Sequence, residues 1–126
     1  MWKLVVVGAD GSATSRRAVE TAAKFAATSG AKLHVVTAYS HSSEDDARAL
    51  LQSLAAEARA LGVEPTVHAE KGDAADVIIN TARHVSADLV IVGNRGMKGV
   101  RRTLGSVPNS VAHGVNCSVL IVDTTE

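Results

Sequence analysis

Aromatic residues are scarce in this sequence of 126 residues, which contains one Trp, one Tyr and one Phe. Because proteins that hold single-stranded nucleic acid usually stack bases on aromatic rings, the chain offers almost no platform for that function. The single cysteine, Cys117, excludes an internal disulfide and fits a reducing compartment.

Long apolar runs are missing as well. No run approaches the roughly 18 residues of a membrane span, and the apolar run near the N-terminus is too short for a secretory signal. We therefore expect one cytoplasmic domain over residues 1–126, with neither a membrane nor a nucleic acid as partner.

Acidic residues are absent from about a quarter of the chain. The net charge is zero, with 13 basic and 13 acidic residues, but Leu89 to Val122 contains no Asp or Glu. The basic residues of that stretch are Arg95, Lys98, Arg101 and Arg102. A balanced total argues against binding of bulk nucleic acid, which normally needs a broadly basic face. The local positive charge, interleaved with glycines, favours a small anion as ligand.

Short apolar runs alternate with segments of helical spacing along the whole chain. Strands are predicted at Lys3–Val7, Lys32–Ala38, Pro65–Ala69, Asp88–Gly93 and Ser118–Asp123. Four amphipathic segments lie between them. Ser12 or Ser15, Ser43 and Asp73 are suited to begin the first three helices, and Gly30 and Gly62 to end the first two. This alternation predicts an α/β fold, an open five-stranded parallel sheet flanked by four helices in a Rossmann-like arrangement.

Two loops follow strands at the edge where open parallel sheets bind ligands. The first is "GADGSAT", Gly8 to Thr14, and the second is "GNRGMKGVRRTLGS", Gly93 to Ser106. Glycines in the second loop allow a backbone to approach phosphate oxygens closely. Gly105 and Ser106 open a helix, whose unpaired N–H groups favour an anion. Arg95 and Lys98 can supply charge and Asn94 a polar contact, although a solvated connection has the same composition.

The chemistry of the first loop rests on Asp10. Its carboxylate can accept a hydrogen bond from a ribose hydroxyl or an adenine amino group, or it can organise the "ADGS" turn. The loops match neither the G-x-x-x-x-G-K-[ST] nor the G-x-G-x-x-G pattern. The five histidines have no metal-ligand spacing, and no general base accompanies a nucleophile. We therefore predict no catalytic residue and no metal site, and we disfavour an enzyme with strong turnover.

The two loops and their neighbouring elements resemble the universal stress protein family over essentially the whole chain. The segments that carry the resemblance are "VVVGADGSATSRRAVETAAKFA", "KGDAADVIINTARHVSADLVIVGNRGMKG" and "GSVPNSVAHGVNCSVLIVDT". The nucleotide-binding branch of that family has the pattern Gly, two residues, Gly, nine residues, Gly, then Ser or Thr. Here Gly93, Gly96, Gly105 and Ser106 match its fixed positions, with eight residues rather than nine before Gly105. A loose loop would absorb this deletion.

The resemblance implies strand order 3-2-1-4-5, ATP with or without Mg²⁺ as ligand, and a homodimer through Ser118–Asp123. It implies that Gly93, Gly96, Gly105, Ser106 and Val107 surround the triphosphate. Asp10 and the backbone around Gly8, Ala9 and Val35 would then contact the ribose and adenine. The leading hypothesis is an ATP-binding stress or signalling protein with at most slow hydrolysis. The alternatives are an interaction module without nucleotide, a cyclic-AMP-binding protein and an ATP-using enzyme.

Overall fold

Strands and helices alternate along the chain in a computed structural model that describes residues 2–94 and 106–123. The strands are β1 (Leu4–Gly8), β2 (Lys32–Tyr39), β3 (Thr66–Lys71), β4 (Leu89–Gly93) and β5 (Ser118–Val122). The helices are α1 (Ala13–Ser29), α2 (Glu44–Ala60), α3 (Ala74–His84) and α4 (Ser106–Gly114). None of the described helices is long and apolar enough to cross a membrane.

The five strands form one parallel sheet in the order β3-β2-β1-β4-β5. The predicted fold class and the strand order implied by the resemblance are therefore confirmed. β1 and β4 lie in the middle of the sheet and pair from Val5 with Leu89 to Val7 with Ile91. Both are buried on their two faces, which explains why each reads as an uninterrupted apolar run.

The helices cover both faces of the sheet. The core on one face contains residues of α1 and α2, such as Val19 and Leu54, packed with Val5, Val7 and Val35 of the strands. The opposite core contains Ile78 of α3 and Val111 of α4. Right-handed crossovers place α1 and α2 on one face because β1, β2 and β3 run toward one edge. They place α3 and α4 on the other because the chain then returns and continues to β5.

The predicted helix boundaries follow local hydrogen bonding. Each N-cap side chain accepts the N–H three residues onward, and the capping residues are Ser12, Ser43 and Asp73. Ser15 lies inside α1 instead, where its hydroxyl donates to the Ser12 carbonyl. Gly30, in the left-handed conformation, is the C-cap of α1, as predicted. The C-cap of α2 is Leu61, and the predicted Gly62 lies one residue beyond it with a positive φ.

β3 is longer than the sequence predicts. It extends over Glu70 and Lys71, which pair with Ala38 and Tyr39 of β2. These charged side chains are exposed at the edge of the sheet, where a strand does not need apolar residues on both faces.

Candidate functional site

A cleft opens beyond the carboxyl ends of the central strands, at the point where the strand order reverses. β1 continues toward β2 on one side and β4 toward β5 on the other, which leaves a crevice between them. Its described lining comes from the ends of β1, β2 and β4 and the first turns of α1, α3 and α4. The lining residues are Gly8, Ala9, Asp10, Thr14, Ser15, Val36, Ala38, Ala74, Ile78, Val92, Gly93, Val107 and Pro108.

The loop after β1 supplies the polar side of the cleft. The Ser12 N–H donates to Asp10 Oδ1 over 3.0 Å, and the Asp10 N–H donates to Ser15 Oγ over 3.2 Å. Gly11 has a φ of 87°, a conformation that L side chains rarely adopt. Asp10 therefore organises the turn, as one of its two predicted roles requires. The second predicted role of Asp10, contact with a ligand, stays a prediction.

The opposite walls of the cleft are apolar. Val36 and Ala38 extend from β2, Val92 from β4, and Ala74 and Ile78 from the first turns of α3. Aliphatic surfaces of this kind suit the flat faces of a heterocyclic ring, while a few polar groups at the rim fix its orientation.

A glycine permits α3 to approach β1 closely at the base of the cleft. A Cβ added to Gly8 would lie 2.5 Å from Ile78 Cδ1 and 3.0 Å from Ile78 Cγ1. A larger residue at position 8 would therefore force the Ile78 side chain to move. Gly8, for which a backbone contact with the ligand is predicted, lies at this close approach of α3 to β1.

Asn94 joins the end of β4 to the end of β5 through hydrogen bonds. It is not among the described residues that line the cleft. Asn94 is 5% exposed; its N–H donates to the Val122 carbonyl over 3.0 Å and its Nδ2 to Asp123 Oδ1 over 3.1 Å. The structure therefore gives this predicted site residue a positioning role, because it fixes where the chain leaves Gly93.

α4 begins at the cleft. Val107 and Pro108, both in its first turn, belong to the lining, so the amino end of the helix faces the cleft. A proline fits there because the first N–H groups of a helix have no intrahelical partner. The backbone of Ser106 starts the helix as expected. The predicted residues Arg95, Gly96, Lys98 and Gly105 lie outside the described residues.

Val35 and Val36 lie on opposite faces of β2. The Val35 side chain belongs to the core beneath α1 and α2, whereas Val36 lines the cleft. The Val36 carbonyl also accepts the Ala9 N–H over 3.0 Å, which ties the first loop to β2. A nucleotide contact near Val35 could involve only its backbone, and that contact stays a prediction.

Several lining residues were not predicted from the sequence. Thr14 and Ser15 follow directly from the position of the first loop, and Pro108 from its place beside Val107. Ala74 and Ile78 lack such a signal, because only the return of the chain across the sheet brings α3 to this cleft. Ala38 is the last residue of the second strand as predicted from the sequence, so its place at the carboxyl end of the sheet could have identified it.

Comparisons of the sequence and of the fold with known proteins match the same family. The family model described as the universal stress protein family matches residues 1–123. Universal stress protein Rv1636 of Mycobacterium tuberculosis is 37% identical over 145 aligned positions, which cover 98% of this chain and 98% of the relative.

Two solved structures of this family contain nucleotides. A universal stress protein in complex with cAMP is 40% identical to this chain, with a TM-score of 0.86 and coverage of 98% of both chains. The universal stress protein from Archaeoglobus fulgidus in complex with dAMP has a TM-score of 0.80 over 96% of this chain and 98% of that one. Its 24% identity supports the common fold alone.

Proposed function

Because this chain belongs to the universal stress protein family and carries a cleft at the switch point of its sheet, we propose that it binds an adenine nucleotide there. The observation that carries the proposal is the meeting of two elements in one cleft. The loop of Asp10 supplies a polar rim, and the first turn of α4 faces the same space. The aliphatic walls of the cleft would hold the base, and the N-terminus of α4 would favour the phosphate.

The observations favour different adenine nucleotides. The relative that is 40% identical was solved in complex with cAMP, and a cyclic monophosphate needs fewer phosphate contacts than ATP. The loop between the glycines is also one residue shorter than the ATP-binding pattern of the family. Against this, Arg95 and Lys98 add positive charge beside Gly96 and suit a triphosphate. We place cAMP first and ATP, with or without Mg²⁺, second.

Isothermal titration with cAMP, ATP, ADP and AMP tests whether the protein binds an adenine nucleotide and which one it prefers. We expect binding well below millimolar concentration for at least one of them, and the ranking of cAMP against ATP decides between the two ligands. Failure of all four to bind would refute the proposal. Adenine nucleotide released from freshly purified, denatured protein and detected by mass spectrometry would count against an interaction module without nucleotide.

Asp10 provides the sharpest variant. Asp10→Asn keeps an oxygen that can accept the Ser12 N–H but removes the carboxylate charge, so the turn should remain and the ligand contact should weaken. Asp88→Asn is the matched control. Asp88 accepts the N–H groups of Lys3 and Leu4 at the amino end of β1, at the other end of the sheet from the cleft. If both variants bind the nucleotide with equal affinity, the Asp10 carboxylate does not contact the ligand.

A homodimer through β5 is a second part of the proposal. β5 is an edge strand, and its Leu120 side chain is 42% exposed although it lies between the half-buried Val119 and Ile121. An apolar edge strand favours pairing with a second copy. Sedimentation at several protein concentrations tests this point, and a monomer at all of them would contradict it.

A further inference from the structure

Two histidines meet between β2 and β3. His34 Nδ1 and His68 Nε2 are 2.8 Å apart, and the ring planes differ by 18° with centroids separated by 5.1 Å. Such a short contact between nitrogens, combined with well-separated centroids, means that the rings meet edge to edge. The contact is an N–H···N hydrogen bond in which one ring donates and the other accepts.

The pair lies on the same face of the sheet as the nucleotide cleft but at a separate place. The register pairs His68 with Val36, two residues beyond His34, so both imidazoles project toward the α3 face. A second, polar cleft between β3 and α3 is lined by His68, Glu70 and His84, among others. Neither His34 nor His68 lines the cleft that contains Asp10. Both side chains are half-buried, which leaves solvent access to the pair.

We propose that His34 and His68 together bind a divalent transition-metal ion of the borderline class, Zn²⁺, Ni²⁺ or Cu²⁺, with water in the remaining positions. Imidazole nitrogen is a preferred ligand of these ions. Within the described part of the chain, no three His, Cys, Asp or Glu side chains are grouped to hold a metal. The site therefore has two protein ligands, which spacing along the sequence could not reveal because they belong to different strands.

The distance between the nitrogens fits this role. Metal–nitrogen bonds of about 2.0–2.1 Å place two cis ligands about 2.9 Å apart in square-planar or octahedral geometry, and about 3.3 Å apart in a tetrahedron. The present separation is 2.8 Å. In the hydrogen-bonded pair the two nitrogens point at each other. Each ring must therefore rotate by about 45° so that both lone pairs point at one ion in cis positions.

Protonation of the pair is also compatible with a metal. The proton that lies between the rings would move to the outer nitrogen of the same ring, so that no net charge is lost. Burial is the main cause that lowers the pKa of both histidines, which keeps them neutral near pH 7. Among the neighbours, the Glu70 carboxylate favours a cation, whereas Lys32 and a protonated His84 oppose it.

The experiment is a titration of the nucleotide-free protein, with any histidine tag removed, with NiCl₂ and with ZnCl₂. We expect binding below millimolar concentration and an increase in melting temperature. His34→Gln and His68→Gln should each weaken binding by about ten-fold or more, equivalent to about 1.4 kcal/mol. His113→Gln, at an exposed position of α4, is the matched control and should bind as the unmodified protein does.

Two results would overturn the proposal. One is the absence of binding below millimolar concentration, and the other is unchanged affinity in both His34→Gln and His68→Gln. If either variant fails to fold, NMR of the unmodified protein replaces it. The ring signals of His34 and His68 should then respond to Zn²⁺ before those of the other histidines, and a response led by another histidine would contradict the site. Because nucleotide is absent, these outcomes are independent of adenine nucleotide binding.

Discussion

Replacement of Gly8 by alanine tests the close approach of α3 to β1 at the base of the proposed nucleotide cleft. The new Cβ would lie 2.5 Å from Ile78 Cδ1, whereas carbon atoms in contact are normally about 3.5–4.0 Å apart. The Ile78 side chain must therefore retreat by about 1 Å. Gly8 does not have a positive φ, so the substitution adds no backbone strain there.

The size of the effect follows from what has to move. The nearest atom is the end of a flexible side chain, so the adjustment is less severe than a collision with backbone. We expect Gly8→Ala to lower the free energy of unfolding by about 1–3 kcal/mol, the range for overpacked cores. Because Ile78 is also a wall of the cleft, the affinity for nucleotide should fall about 5- to 30-fold, equivalent to about 1–2 kcal/mol.

A double-mutant cycle isolates the contact. Ile78→Val removes Cδ1 and by itself should lower stability by about 0.5–1.5 kcal/mol. In that background, Gly8→Ala should be about 1 kcal/mol less destabilising than in the unmodified protein. Urea unfolding of the four proteins gives the coupling free energy, and titration with the bound nucleotide gives the affinities. Additive effects on stability would refute the contact.

Gly114 offers a matched control away from the cleft. A Cβ added there would lie 2.4 Å from Ile79 Cδ1, an equally close approach to a residue outside the lining. Gly114→Ala should therefore displace the half-buried Ile79 side chain without changing nucleotide affinity. A similar loss of affinity in both variants would mean that Gly8→Ala acts through general loosening of the core instead of through the cleft wall.

Three further predictions concern the rest of the molecule. Thr37 is 4% exposed, and its hydroxyl has no hydrogen-bond partner within the described structure. Thr37→Val should therefore raise the free energy of unfolding, measured by urea denaturation, by about 1 kcal/mol. A decrease would show that the hydroxyl does have a hydrogen-bond partner. Burial lowers the pKa of His34 and His68, so the folded state favours their neutral forms and stability should fall as the pH drops below 6.5. Urea midpoints at about pH 7.5 and pH 5.5 should differ less in the variant that carries both His34→Gln and His68→Gln, and an equal difference would contradict this linkage. Leu120→Lys should shift the proposed dimer toward monomer in sedimentation, because a charged side chain opposes edge pairing; an unchanged dimer would place its interface elsewhere.

Local chemistry made much of the fold predictable. Ser12, Ser43 and Asp73 begin helices because their side chains accept backbone N–H groups only three residues away, and such contacts depend on neighbouring residues alone. The parallel sheet followed from the alternation of short apolar runs with amphipathic segments. The loop of Asp10 could likewise be predicted to line a cleft at the edge of the sheet, because it follows a strand that had to be buried.

The tertiary structure decided what depends on pairing between distant segments. Both faces of β2 carry apolar residues, so the sequence pattern did not show which face lines the cleft. The structure places Val36 in the cleft and Val35 in the opposite core. Ile78 became a cleft wall only because the chain crosses back over the sheet before β4. His34 and His68 are 34 residues apart and meet because of the register between β2 and β3. Composition and spacing determined which residues could form a site, whereas strand register and crossover determined which of them came together.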